Sequence, residues 1–287
     1  MKKFTNYLGI FFSLTISFYS FADVTIKSDV VYGHKDGLAL IYDVIKPDNA
    51  NDAAIVFMMS GGWFSRWTPA ELVSQRFEDM LDAGFTVIPV YHGSAPRYHV
   101  PDAYSDVSRA IRHIKLRAQQ HGIDPDRIGV TGGSAGGHLS LMVGLDADAG
   151  DPNSDDEVMR QNNSVAAVVA YFPPVDLRPL AGPGSWSERF PALNFDPEKA
   201  ESISPILHAD PDDPPTLLIH GDADELVPIS ASQIMQAEFE KQSVVSDFIT
   251  ISGAGHGFRG DDAERAANAS VAWFKQYLLD GGSSVSD

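Results

Sequence analysis

The chain has 287 residues, 44% of them hydrophobic, which is enough for one large α/β domain with a well-buried core. A formal net charge of -18 disfavours nucleic acid, anionic membrane surfaces and polyanionic substrates as partners. Cysteine is absent, so disulfides, thiol catalysis and cysteine metal sites are excluded and stability must come from the core.

Residues 1–22 read as an export signal: Lys2 and Lys3, an apolar run over 7–21, then Ser20-Phe21-Ala22 before Asp23. The run is interrupted by Ser13, Thr15, Ser17 and Ser20 and is short for a membrane span. Residues 23–287 are therefore expected as a single periplasmic or secreted domain, free of the membrane once the signal is cleaved. Residues 24–31 and 38–45 read as two strands joined near Gly37. The continuous apolar run 53–59 suits a strand buried on both faces of a parallel sheet, and it ends in Ser60-Gly61-Gly62-Trp63. A helix over 69–83, a buried strand over 86–91 and a long helix from Pro101 to about 120 follow. The β-branched run 128–131 meets glycines and then an apolar helical pattern. After an acidic loop (146–163) come a strand over 165–172 and an irregular, partly helical segment over 181–204, a short cap or loop insertion. Strand 216–220, helix 229–242, strand 245–252 and a final helix complete the chain. Asp261 or Asp262 is expected to cap that helix and Gly281 to stop it. Strands alternating with helices after an N-terminal hairpin predict an α/β fold with a mostly parallel central sheet flanked by helices.

Gly132-Gly133-Ser134-Ala135-Gly136 fits the nucleophile elbow, in which a serine sits on a sharp strand-to-helix turn. Ser134 must hold a strained backbone, and side chains at Gly132 or Gly136 would collide with strand or helix. The turn leaves the amide of Ala135 at a helix N-terminus, where it can donate to an oxyanion. A phosphate-binding reading fails, because His138 and Leu139 follow Gly137 where lysine and Ser/Thr are required.

The partners of such a serine follow in the order acid, then histidine, each on a loop after a strand. His256, in Gly253-Ala-Gly-His256-Gly-Phe258, follows the last strand and is freed by flanking glycines. Asp222, Asp224 and Glu225 share the preceding loop. Asp224 is favoured over Asp222, which a turn after His220-Gly221 would occupy in capping its own backbone. His220 reads as a buried strand-end histidine.

Gly-Gly-Ser134-Ala-Gly-Gly-His, His-Gly-x-x-Asp224-x-x-Val-Pro and Gly-x-Gly-His256-Gly-Phe together resemble secreted bacterial α/β-hydrolase esterases. The resemblance is to the group with acetylxylan and feruloyl esterase members, near the hormone-sensitive-lipase-like esterases, over about 30–279. It implies the α/β-hydrolase fold and a serine carboxylesterase with no cofactor, acting on short acyl or feruloyl esters of carbohydrates. It also implies an oxyanion hole from the amides of Gly62, Trp63 and Ala135. Where such esterases carry His-Gly-Gly this chain has Ser60-Gly61-Gly62, which removes a side chain that would support the oxyanion loop. His92-Gly-Ser-Ala-Pro96 similarly replaces a Tyr-Arg-x-Ala-Pro pattern and reads as scaffolding behind the site. Two rival readings stand: a prolyl-oligopeptidase-like peptidase, and a non-catalytic binding protein on a hydrolase scaffold.

Asp151-Pro-Asn153-Ser-Asp155-Asp156 lacks the glycine and glutamate of a calcium loop and is expected to be solvated. His34, His99, His113 and His121 show no metal-ligand spacing, so no metal site is expected. His138 reads as a packed or hydrogen-bonded core residue. Trp63, Phe64, Trp67, Trp186 and Phe190 fall on loops expected around the serine, with Trp63 and Trp186 the candidates for lining a substrate pocket.

Overall fold

The structure is a computed structural model that describes residues 23–280. The export-signal reading of 1–22 and the helix stop at Gly281 lie outside the described residues. Eight strands form one sheet: β1 (Val24–Lys35), β2 (Leu38–Pro47), β3 (Ala54–Met58), β4 (Thr86–Val90), β5 (Ile128–Gly133), β6 (Ala167–Tyr171), β7 (Thr216–Gly221) and β8 (Ser246–Ile251). Their order is β1-β2-β4-β3-β5-β6-β7-β8. β1 and β2 pair antiparallel, as do β2 and β4, and every other pairing is parallel.

The helices are α1 (Ala70–Arg76), α2 (Glu78–Asp82), α3 (Val100–Leu116), α4 (Ala118–His121), α5 (Ala135–Leu145), α6 (Ser185–Arg189), α7 (Ser230–Gln242) and α8 (Asp261–Leu278). Successive residues of a strand point to opposite faces, so the continuous apolar runs feed two cores at once. Val56, Met58 and Leu218 pack with Ile111 of α3, Leu139 of α5 and Phe239 of α7. Ile55, Phe57, Leu217 and Ile219 pack with Val73 of α1, Met80 of α2 and Phe274 of α8. No helix among the described residues is long and apolar enough to cross a membrane.

Four expectations need correction. The helix over 69–83 is two helices, because Phe77 leaves helical geometry (φ -117°, ψ 26°) and packs its ring, tilted, 4.7 Å from that of Phe57. The helix from Pro101 begins at Val100 and breaks at Arg117 (φ -103°, ψ 11°). Its first turn is closed by Asp102, whose carboxylate accepts the His99 N–H at 3.0 Å. Neither Asp261 nor Asp262 caps α8; Gly260 does, at φ 55°, ψ -135°, and both carboxylates lie inside the first turn, against the positive end of the helix dipole. The acidic loop is more than solvated: Asp148, Asp156 and Glu157 pair with Arg112, Arg109 and Arg117. Among the described residues no cluster suits a metal ion.

Candidate active site

The site is built on loops that leave the carboxyl ends of β3, β5, β6, β7 and β8. Parallel register brings these ends level, with Phe57 opposite Thr131, Gly133 opposite Tyr171, and Gly221 opposite Ile251. Crevices at such strand ends are where open α/β sheets bind ligands.

Ser134 follows β5 directly and begins α5, with φ 55° and ψ -119°. A non-glycine residue at such angles costs on the order of 1–3 kcal/mol and persists only when its surroundings impose it. Here they do. Its N–H donates to the Tyr171 carbonyl at 2.9 Å, and its carbonyl accepts the first helical bond, from His138, at 2.9 Å. The flanking glycines are sterically required: a Cβ at Gly132 would lie 2.5 Å from the backbone of Gly136, and one at Gly136 would lie 2.8 Å from the Met58 carbonyl.

Asp224 is enclosed by its own loop. One carboxylate oxygen accepts the N–H groups of Leu226 (2.9 Å) and Val227 (3.0 Å), and the other accepts Nδ1–H of His256 at 2.7 Å. Burial alone would raise its pKa, but the His256 bond and the two amides outweigh burial and hold it below the usual aspartate value. His220 faces the same oxygen at 3.3 Å. Its Nε2–H also donates to the Val227 carbonyl at 2.8 Å while Nδ1 accepts from Ser232, and burial keeps it neutral by lowering its pKa. Asp222 is exposed and occupied elsewhere. It accepts the Gly253 N–H and the Ser252 hydroxyl, so it braces the histidine loop rather than capping its own turn.

His256 packs against Phe172, whose ring centre lies 4.7 Å from the imidazole. Phe172, the residue after β6, has φ 36°, a second strained position beside the first. With Nδ1 committed to Asp224, the other imidazole nitrogen is left for the serine. Ser134 and His256 line one cavity, of about 580 Å³. Among the described residues no hydrogen bond joins their side chains, and such bonds are often long before substrate arrives.

Residues 61–64 form a tight turn in which Gly61 and Phe64 exchange both backbone hydrogen bonds at 3.0 Å. Gly62 and Trp63 both have φ 58°, the pattern of a type I′ turn. The main-chain N–H groups of Gly62, Trp63 and Ala135 have no backbone partner among the described turn and loop bonds, so all three can serve an anion. Support for this turn comes from an unforeseen source. The Trp63 indole N–H donates to His138 Nδ1 at 3.4 Å, with the rings edge to face at 5.5 Å. His138 in turn donates from Nε2 to the Ile203 carbonyl at 2.8 Å, which fixes its tautomer. His92 is buried, donates to the Gly93 carbonyl and lines neither cavity at the serine.

A second cavity, of about 330 Å³, also opens on Ser134 and is not lined by His256. It is walled by Trp63, Val175, Leu180, Trp186, Phe190 and Leu193. Trp186 is 37% exposed and stacks on Phe190 at 6.3 Å, so the 181–204 segment covers this cavity with α6 and a series of 3₁₀ turns. Both tryptophans of the sequence analysis reach it, as does Phe190 from the same group of loop aromatics; Phe172, beside His256, was not foreseen.

Burial pushes the pKa of His138 down to about 4, against the opposing pull of the Ile203 carbonyl. An unfolded histidine titrates near ~6.5. Between those values the unfolded chain binds a proton that the native state refuses, so His138 makes stability fall as pH drops from 6.5 to 4. The loss is on the order of 3 kcal/mol at most. His138→Gln keeps a donor and an acceptor and should flatten the dependence of Tm on pH in that window relative to the wild type. Equal slopes by calorimetry would contradict the assignment.

A family model described as BD-FAE matches residues 42–239. A curated relative, the probable carboxylic ester hydrolase LipM of Mycobacterium tuberculosis (strain ATCC 25618 / H37Rv), is 27% identical over 278 residues, covering 91% of this chain and 62% of the relative. The chain spans 56–62% of the length of the first curated relatives that it matches. Among solved structures it is similar to a truncated carbohydrate esterase from gut microbiota, at 28% identity and TM-score 0.76, covering 91% of this chain and 98% of that one. Esterase 2 of Thermogutta terrifontis, solved phosphorylated by paraoxon, matches at 25% identity and TM-score 0.70 over 93% of this chain and 96% of that one.

Proposed function

The chain belongs to the BD-FAE family and has the α/β-hydrolase fold, and from that premise we propose that it is a carboxylic-ester hydrolase working through an acyl-enzyme on Ser134. One observation carries the reading: a buried Asp224 holds His256 at 2.7 Å in the cavity onto which a strained serine opens.

In this reading His256 takes the Ser134 proton as the hydroxyl attacks the ester carbonyl. Asp224 fixes the imidazole tautomer and stabilises its charged form. The amides of Ala135, Gly62 and Trp63 receive the tetrahedral oxyanion. His256 then returns the proton to the departing alkoxide, and water releases the acyl group by the same steps. Because the alcohol must leave beside the proton donor, it occupies the cavity lined by His256. The acyl group then takes the apolar cavity lined by Trp63 and Trp186, whose volume and flat aromatic walls suit a short acyl or feruloyl group.

The natural substrates in this proposal are acyl or feruloyl esters of carbohydrates, in keeping with the carbohydrate esterase among its structural relatives. The basic and apolar start of the chain supports export to the periplasm or beyond. The test is a panel of p-nitrophenyl esters graded by acyl length, with ethyl ferulate and an acyl-amino-acid anilide. Short-chain and feruloyl esters should be hydrolysed and the anilide left almost untouched. Anilide cleavage as fast as ester cleavage would favour a peptidase, and no turnover by folded protein would leave a binding scaffold.

A further inference from the structure

The cavity shared by Ser134 and His256 has a charge opposite to that of the molecule. Among the described residues Arg66 and Arg76 are the only Lys, Arg, Asp or Glu side chains that line it, in a chain of net charge -18. Neither guanidinium has an ion-pair or hydrogen-bond partner among the described residues. Asp79 and Glu264 line the adjoining cavity with Arg76 but form no ion pair with it.

Aromatic rings hold the Arg76 guanidinium, whereas the Arg66 side chain is exposed and only its loop is fixed. The Arg76 guanidinium lies 4.9 Å from the ring centre of Phe57 and 5.7 Å from that of Phe77. Water reaches the side chain, yet the rings crowd its charge, and burial lowers its pKa below the usual arginine value. A partly dehydrated cation without a partner gains from taking an anion. Arg66 sits on a pinned loop. Ser65 N–H donates to Ser94 Oγ at 3.0 Å, the Trp67 indole to Asp29 at 3.2 Å, and the Tyr91 hydroxyl to the Thr68 carbonyl at 2.9 Å.

We propose that Arg66 and Arg76 form a carboxylate-recognising subsite for the alcohol portion of the ester, so that this chain prefers esters whose alcohol carries an acid group. The inference rests on the ester-hydrolase reading, which puts the alcohol on the His256 side. Guanidinium forks match a planar carboxylate. The negative field of the whole molecule repels polyanions at a distance, whereas the subsite acts on one carboxylate at contact.

The experiment compares 4-acetoxybenzoate with its neutral analogue 4-acetoxybenzamide for wild type, Arg66→Gln, Arg76→Gln and the double variant. Comparing the acid-over-amide ratio of kcat/KM between wild type and variants cancels the intrinsic difference of the two leaving groups. Each single variant should lower that ratio about 10-fold, mainly through KM; added salt should lower it in the wild type, and Arg76→Lys should retain part of it. A ratio that changes less than about two-fold, even in the double variant, overturns the subsite. If folded wild type hydrolyses neither ester, the ester-hydrolase reading fails instead. Calorimetry with 4-hydroxybenzoate then decides the subsite alone, by binding that is or is not lost in the double variant. An O-acetylated methyl glucuronoside and O-acetyl-lactate, each against its amide, distinguish a sugar-borne from a hydroxy-acid carboxylate. Arginine-dependent preference for either supports the proposal, and preference for neither counts against it.

Discussion

Ser134→Ala should lower kcat for a p-nitrophenyl ester by about 10⁴-fold or more while KM moves only a few-fold. The asymmetry follows from what the hydroxyl does. It contributes little to holding the ester, whose acyl group is proposed to rest in the cavity lined by Trp63, Trp186 and Phe190. Its part is the covalent bond that divides one hard hydrolysis into two easier steps. The fold should survive, because alanine presents the same Cβ at φ 55° and the bond from Ser134 N–H to Tyr171 is main-chain. Circular dichroism with the wild-type Tm would verify this. Retention of more than about 1% of turnover would show that another group, or activated water, does the work.

Asp224→Asn is the second large effect, and its control is Asp222→Asn. The amide at 224 would offer the wrong partner to His256 Nδ1 and favour the wrong tautomer, with an expected loss of about 10⁴ in kcat. The Asp222 side chain bonds Gly253 through one oxygen and Ser252 through the other; in asparagine Oδ1 can keep the Gly253 N–H while the amide N–H donates to the Ser252 hydroxyl oxygen. Asp222→Asn should therefore stay within about ten-fold of wild type, read as a small change in how the histidine loop is set. Reversal of the two effects would exchange the roles of the aspartates. The acid limb also has a definite sign. Since the Asp224 pKa is depressed in the native state, its contribution to stability is complete above the unfolded aspartate value of ~3.9 and is lost as pH falls through the lower native value.

What could be read in advance was chemistry confined to one short loop. The elbow glycines, the placing of His256 between glycines and the alternation of strand with helix each depend on neighbours in sequence. The observed sheet order and the steric closeness of Gly132 to Gly136 agree with those readings. What escaped depends on contacts between distant residues. The Trp63–His138 bond spans 75 positions and gives the 61–64 turn the side-chain support that Ser60 had put in question. Phe172 has no motif of its own; it matters because β6 ends level with β5 and delivers its ring to His256. The bond from Gly253 to Asp222 joins loops 31 residues apart and leaves no local trace in the sequence, where a turn after Gly221 is the nearer partner. The break at Phe77 likewise follows from a ring drawn to Phe57, which overrides helix periodicity.

The central claim is that Ser134 becomes a covalent acyl carrier once His256 takes its proton. Treating the full chain with an aryl phosphonate and locating the adduct by peptide mass spectrometry tests it most directly. One phosphonyl group per chain on the peptide bearing Ser134, with labelling much slower in His256→Gln, is the predicted result. Active, folded protein that takes no label at Ser134, or takes it elsewhere while hydrolysis continues, would contradict the account.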